Sequence, residues 1–101
     1  MNKKKNNKKD NFYNDLKNKL KDDKFKELYC DSLLRFQIAA EIIAFRKKKK
    51  LSQKQLAEKI NTTQAVISRI ENGEVAVSTN ILERICYQYN LRLKFKLYEL
   101  A

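Results

Sequence analysis

The chain has 101 residues, with 23 Lys or Arg against 12 Asp or Glu, so its formal net charge is +11 at pH 7. This length and a hydrophobic content of 43% suit one small helical domain, and the charge favours a polyanionic partner, nucleic acid ahead of a membrane surface. The lack of His excludes Cys-His and Ser-His nucleophiles, and a chain with one Gly has no phosphate-binding glycine loop. We therefore expect no enzymatic activity, no metal and no cofactor.

The two cysteines, Cys30 and Cys86, are far apart and lack CxxC spacing, so each is interpreted as a small buried apolar residue of a reduced protein. A disulfide between them is the minor alternative. No apolar run approaches the length of a membrane span, and the first residues lack the apolar core of a signal peptide. These features predict a cytoplasmic protein.

Residues 1–11 are a Lys/Asn-rich tail that we expect to be disordered, since it has almost no apolar surface to bury. The tail is either a basic arm that contacts phosphates or a compositional bias without a role. Residues 12–30 form an N-terminal helical segment. Its first helix carries Phe12, Leu16 and Leu20 on one side, and its second, capped by Asp22 or Asp23, carries Phe25, Leu28 and Tyr29.

Residues 31–90 have the pattern of a compact helical domain. Its longest helix is predicted over residues 33–49, with one apolar side formed by Leu34, Ile38, Ile42 and Phe45. Five consecutive cations, Arg46 to Lys50, end this helix, where they complement its macrodipole. They are either a solvated helix end or a phosphate contact.

The stretch from Leu51 to Gly73 predicts two short helices joined by a tight turn. Ser52 and Gln55 form a capping box, so the first helix begins near Gln53 and buries Leu56, Ala57 and Ile60. Asn61 follows where a left-handed residue is needed, and Thr63 caps a second helix that buries Val66, Ile67 and Ile70. This spacing describes a helix-turn-helix.

The opposite side of the second helix is polar, and such a helix places its first residues against base edges in the major groove. Gln can pair with adenine, Arg with guanine, and Ala with a thymine methyl group. The predicted base-reading residues are Gln64, Ala65, Ser68, Arg69 and Thr63. The predicted phosphate contacts are Gln53, Lys54, Lys50 and Asn72.

A last helix is capped by Ser78 and stopped by Asn90, after which the period changes to two. Apolar residues at 91, 93, 95 and 97 alternate with polar ones, which is typical of a half-buried β-strand. Because no partner strand occurs elsewhere in the chain, we expect residues 91–101 to pair with the same strand of a second copy; addition to another protein's sheet is the alternative. The predicted dimerisation residues are Leu91, Leu93, Phe95 and Leu97.

These motifs resemble the helix-turn-helix of the Cro/CI (XRE-type) repressors. The matching residues are Leu51-Ser52-Gln53, Leu56-Ala57, Thr63-Gln64 and Ile67 to Gly73, with Ile38-Ala39, Arg46 and Leu82-Glu83-Arg84-Ile85 around them. The resemblance implies a mainly α fold, a five-helix lambda-repressor-like domain, here with a C-terminal β-strand that pairs across a dimer. Lys50 and Asn61 stand where the family usually has Gly, and Val77 where many members have Pro.

The order of elements is most similar to HigA-type antitoxins of type II toxin–antitoxin operons. This resemblance implies an autorepressor that also neutralises a small mRNA-cleaving toxin of the RelE/HigB type. The toxin-binding surface would be Phe12, Leu16, Leu20, Phe25 and Tyr29, which are otherwise a satellite core. RelE-type toxins are usually basic, whereas residues 1–30 carry ten cations and five acids. The alternatives are a stand-alone repressor, phage-like or a restriction controller, and a basic protein that coats RNA or a membrane surface.

Overall fold

A computed structural model describes residues 7–100, with side chains from Asn11 onward. Over those residues the chain forms five helices: α1 Asn7–Lys19, α2 Asp23–Lys48, α3 Gln53–Lys59, α4 Gln64–Glu71 and α5 Thr79–Tyr89. The residues cluster into two compact units. One spans Asp31–Phe95, and the other takes in the chain up to Cys30 together with the residues from Lys96 on.

Helix α1 begins at Asn7, so residues 7–11 are helical although the sequence predicted them as part of a disordered tail. Residues 1–6 of that tail lie outside the described part. Lys is a good helix former and residues 7–11 contain neither Gly nor Pro, so the sequence permits the helix to extend through this stretch. An ion pair between Lys19 Nζ and Asp15 Oδ2, 3.3 Å apart, links neighbouring turns of α1.

Helix α2 is one continuous helix of 26 residues, whereas the sequence predicted a short helix followed by a longer one. That prediction was wrong because nothing breaks the helix between Cys30 and Leu33, a stretch with neither Gly nor Pro. The predicted aspartate cap is confirmed at its start. Asp22 Oδ1 accepts hydrogen bonds from the backbone N–H groups of Lys24 and Phe25, at 2.9 and 3.1 Å.

Helices α2 to α5 each end next to a residue in the left-handed conformation, and only one of these residues is Gly. The φ angles are 58° at Lys50, 61° at Asn61, 70° at Gly73 and 57° at Asn90. After α2 the N–H groups of Leu51 and Lys50 donate to the carbonyls of Arg46 and Lys47, both at 3.0 Å, which is a Schellman motif. The left-handed stops predicted at Asn61 and Asn90 are confirmed.

The core lies within the unit Asp31–Phe95, where α2, α3, α4 and α5 meet. Its buried residues are Ile42, Leu56, Ala57, Ile60, Ile67, Ile70 and Ile85. Leu56 and Ile67 are fully buried, and burial of such a side chain contributes about 1.5–3 kcal/mol. Phe45 and Tyr89 pack edge to face beside this core with ring centroids 5.0 Å apart. Helices α3 and α4 are therefore held by apolar packing on their inner sides.

Two sequence predictions are not met in the described structure. Residues 91–100 form no strand: Leu91 N–H donates to Cys86 O at the end of α5, and residues 92–100 make no described backbone hydrogen bond to a neighbouring segment. Cys30 is exposed rather than buried, while Cys86 is half-buried, and both are free thiols. None of the described helices is long and apolar enough to cross a membrane.

Candidate DNA-binding interface

Helix α3 is fixed at its start by the capping box that the sequence predicted. Ser52 Oγ accepts from the Gln55 N–H at 3.0 Å, and Gln55 Oε1 accepts from the Ser52 N–H at 2.8 Å. Two otherwise unpaired helix donors are thereby satisfied. The helix then directs Leu56 and Ala57 into the core, which orients its first turn outward.

Helix α4 is the helix predicted to contact bases, and its apolar side faces the core as the sequence predicted. Thr63 Oγ1 accepts from the Val66 N–H at 3.3 Å, and Ile67 and Ile70 are buried. The base-reading candidates lie on the outer side. Thr63, Gln64, Ala65 and Arg69 are exposed, and Ser68 is half-buried. We call Gln64, Ala65, Ser68 and Arg69 the reading face.

A partly buried ion pair joins α2 to the last residue of α4. Arg46 Nε donates to Glu71 Oε2 at 2.7 Å and Arg46 Nη2 donates to Glu71 Oε1 at 3.0 Å, a bidentate arrangement. Gln53 Nε2, from the first residue of α3, also donates to Glu71 Oε1 at 3.0 Å. We call Arg46, Gln53 and Glu71 the clasp, because it connects the three helices behind the reading face.

The ion pair of the clasp is partly buried and electrostatically balanced. The exposed fraction of the side chain is 14% for Arg46 and 5% for Glu71. Burial opposes ionisation of Glu71, but the hydrogen bonds from Arg46 and Gln53 and the nearby cations outweigh it and lower the pKa of the carboxyl. The hydrogen bond to Glu71 likewise raises the pKa of Arg46. Glu71 is therefore an anion that holds the helices together.

The residues predicted to contact phosphates differ in how free their side chains are. Lys50 and Lys54 are exposed on either side of the start of α3. Asn72 is exposed, but its Nδ2 donates to Glu74 Oε2 at 3.1 Å. The side-chain amide of Gln53 is occupied by Glu71, so the role predicted for Gln53 rests on its backbone N–H. Lys50 and Lys54 thus remain available to contact phosphates.

The predicted protein-contact residues lie outside α3 and α4. Phe12 of α1 is 65% exposed, whereas Leu16 and Leu20 are half-buried. Phe25 and Tyr29 are half-buried, and their rings stack with centroids 6.1 Å apart. In the C-terminal segment all four predicted dimerisation residues are exposed: Leu91, Leu93, Phe95 and Leu97.

The sequence reasoning missed the clasp, although a signal for it exists. Arg46 was assigned to the cationic run, yet it lies four residues after the buried Ile42, and Glu71 lies four residues after the buried Ile67. Because residues i and i+4 share one side of a helix, each charge lies on the side that faces the core, where a partner of opposite charge is favourable.

The described residues include no group of three His, Cys, Asp or Glu side chains able to hold a metal ion. A comparison with protein-family models matches residues 42–95, from the second half of α2 into the C-terminal segment, to the helix-turn-helix model. No curated protein and no solved structure matches the chain significantly.

Proposed function

The chain belongs to the helix-turn-helix family of DNA-binding transcriptional regulators, and we propose that it is a sequence-specific repressor of its own operon that reads an inverted-repeat operator. The observation that carries the proposal is the reading face, which is exposed on a helix whose inner side and last residue are both fixed. A rigid helix with free polar side chains is what direct readout of bases requires.

Within this proposal α4 enters the major groove with its first turn toward the bases. Arg69 pairs with a guanine, Gln64 with an adenine, and Ala65 meets a thymine methyl group. Ser68 and Thr63 complete the contacts to bases. Lys50, Lys54, Asn72 and the backbone of Gln53 contact phosphates, which set register and affinity without reading sequence.

The test starts from duplexes that the wild-type chain selects from a random pool. Arg69→Gln should weaken binding to the selected duplex by about 1–3 kcal/mol and relax preference at one base pair per half-site. Lys54→Gln, a matched loss of one exposed cation, should instead weaken all sequences alike and lower the salt dependence by about one unit of slope. A uniform loss in both variants would overturn base reading by Arg69.

We further propose that the repressor is a homodimer through its C-terminal segment. Exposed alternating apolar residues and backbone without a described partner favour pairing with an identical segment. A two-fold axis then requires half-sites about 10 bp apart, or a multiple of one turn. Phe95→Asp should produce monomers in sedimentation equilibrium, whereas Lys94→Asp, next to it on the opposite side, should not. Persistence of the dimer in Phe95→Asp would refute this interface.

A second candidate function is antitoxin activity toward a small toxin of the RelE/HigB type. It is favoured by large exposed apolar residues in the N-terminal segment, where Phe12, Tyr13 and Leu28 are 65%, 59% and 59% exposed. Contiguous exposed apolar surface marks protein contacts, and the rings of Phe12 and Tyr13 lie edge to face with centroids 6.3 Å apart. A basic toxin would be contacted by acidic side chains of this segment. Two of them already have partners within the chain: Asp15 pairs with Lys19, and Asp22 caps α2.

Antitoxin activity is tested by growth and by DNA binding in parallel. A reading frame next to the gene that arrests growth alone, and not with this chain, would support it. Phe12→Ala should then restore toxicity while leaving operator binding unchanged. Neighbouring frames that are harmless would leave the stand-alone repressor as the function.

A further inference from the structure

The turn between α3 and α4 has two carbonyls that its own backbone does not satisfy. The turn is a second Schellman motif, in which Thr62 N–H donates to Ala57 O at 2.9 Å and Asn61 N–H donates to Glu58 O at 3.3 Å. Those bonds use the carbonyls of Ala57 and Glu58. Among the described backbone bonds none reaches the later carbonyls of Ile60 and Asn61.

Arg84 of α5 supplies the missing donor. Its Nη1 lies 3.1 Å from Asn61 O and 3.4 Å from Ile60 O, so one guanidinium nitrogen bridges both carbonyls from more than twenty residues away. A cation at the carboxyl end of α3 also interacts favourably with that helix's dipole. These two hydrogen bonds link α5 to the turn between α3 and α4.

The bridged carbonyls directly precede the reading helix. Thr63, the N-cap of α4, follows Asn61 by two residues, and Gln64 and Ala65 of the reading face come next. Contacts that recognise a ligand must be held within about 0.5 Å and 10–20° by the groups behind them. The clasp fixes the last residue of α4, and Arg84 fixes the turn at its other end.

We infer that Arg84 is a positioning residue for sequence discrimination: it holds the α3–α4 turn so that the first turn of α4 meets base edges in register. This inference rests on the proposed function, since it presumes that α4 reads DNA. Arg84 itself touches no base, so its loss should lower discrimination between sequences rather than the attraction of a cationic chain to DNA. In a chain without the Arg84 side chain, α4 would still be packed on the core through Ile67 and Ile70.

The experiment compares full-length wild type, Arg84→Gln, Arg84→Lys and Lys59→Gln. Lys59, the last residue of α3, is exposed, so its substitution controls for the loss of one cation beside the same turn. Each chain is titrated with the duplex selected by wild type and with a scrambled duplex of equal length and composition, at several salt concentrations. Thermal melting reports how much of each chain is folded.

Arg84→Gln should lower the ratio of selected to scrambled affinity by roughly tenfold, which is the scale of one degraded base contact, with an unchanged salt slope. Arg84→Lys, which keeps a cationic donor, should restore most of the ratio, and Lys59→Gln should leave it unchanged. A reduced melting temperature with an unchanged ratio would overturn the inference, since Arg84 would then be structural only. An equal loss on both duplexes with a lower salt slope would overturn it too, because Arg84 would be a phosphate contact.

The binding data distinguish failure of the role inferred for Arg84 from failure of the proposed function. If wild type discriminates and Arg84→Gln discriminates equally well, the inference fails alone and the proposed function stands. If wild type enriches no sequence from the pool, the proposed function fails and the inference falls with it.

Discussion

Replacing Lys50 with Gly should stabilise the protein while weakening its binding to DNA. Lys50 has φ 58° at the end of α2, a conformation that costs a residue with a Cβ about 1–2 kcal/mol. Glycine removes that strain but gives the unfolded chain more freedom, which opposes folding by about 0.5–1 kcal/mol. The net gain is therefore about 0.5–1 kcal/mol, a rise in melting temperature of roughly 2–8 °C for a domain of this size.

The assay is thermal and urea unfolding of the variant beside two matched controls. Asn61→Gly and Asn90→Gly change residues with nearly the same φ, 61° and 57°, but Asn tolerates this conformation, so their gains should be smaller. Lys50→Asn removes the same cation as Lys50→Gly and introduces a residue that tolerates this conformation, without the freedom that Gly gives the unfolded chain.

The DNA measurement decides why Lys occupies this position. If Lys50 contacts a phosphate, both Lys50→Gly and Lys50→Asn should lower the salt slope of binding by about one unit. A Lys50→Gly variant no more stable than Asn61→Gly would refute the strain argument. Unchanged DNA affinity would refute the phosphate contact and leave the strain without a function.

The other predictions concern the clasp and the single glycine. Arg46→Met leaves the partly buried carboxylate of Glu71 with Gln53 but without its cation, and should cost up to about 3 kcal/mol in urea unfolding. Arg46→Met with Glu71→Leu should recover most of that loss, and equal losses would contradict the pairing. Folding lowers the pKa of Glu71 below the ordinary Glu value of about 4.3. The stability that the ionised carboxylate contributes is therefore fully present above that ordinary value and is lost as pH falls through the lowered pKa. Unfolding midpoints between pH 5 and pH 2 should therefore fall more steeply for wild type than for the double variant, and parallel curves would argue against it. Gly73→Ala should lower the free energy of unfolding by more than about 1 kcal/mol, since φ is 70° and the new Cβ would lie 3.0 Å from the Phe36 ring. Adding Phe36→Ala should relieve only the steric clash. Full recovery of stability would exclude a backbone cause.

Sequence alone was most successful over residues 51–73. The capping box at Ser52, the cap at Thr63 and the left-handed Asn61 were all predicted, as was the buried side of α4. Each depends on groups within five residues of one another, so the local pattern contains all the necessary information. The reading face follows from the same periodicity, because a helix that buries Ile67 and Ile70 exposes its opposite side.

Reasoning from short windows failed where it divided one helix into two. Two apolar patterns, on either side of Cys30, were interpreted as separate helices, but α2 runs through both. A change in the apolar side does not end a helix unless a breaking residue or a cap accompanies it. The buried state expected for Cys30 was wrong for a related reason, since residue type alone does not identify which side of a helix is covered.

The sequence by itself determined where most helices begin and end, which side of each short helix is apolar, and that the chain is a cationic helix-turn-helix regulator. Only the tertiary structure decided which charges meet. Arg46 reaches Glu71 across 25 residues and Arg84 reaches the Asn61 carbonyl across 23. The cationic run around Arg46 gave no sign that its side chain is only 14% exposed and paired. Local periodicity reports which side of an element faces inward, whereas pairing between elements depends on how those sides pack, and that packing exists only in the folded chain.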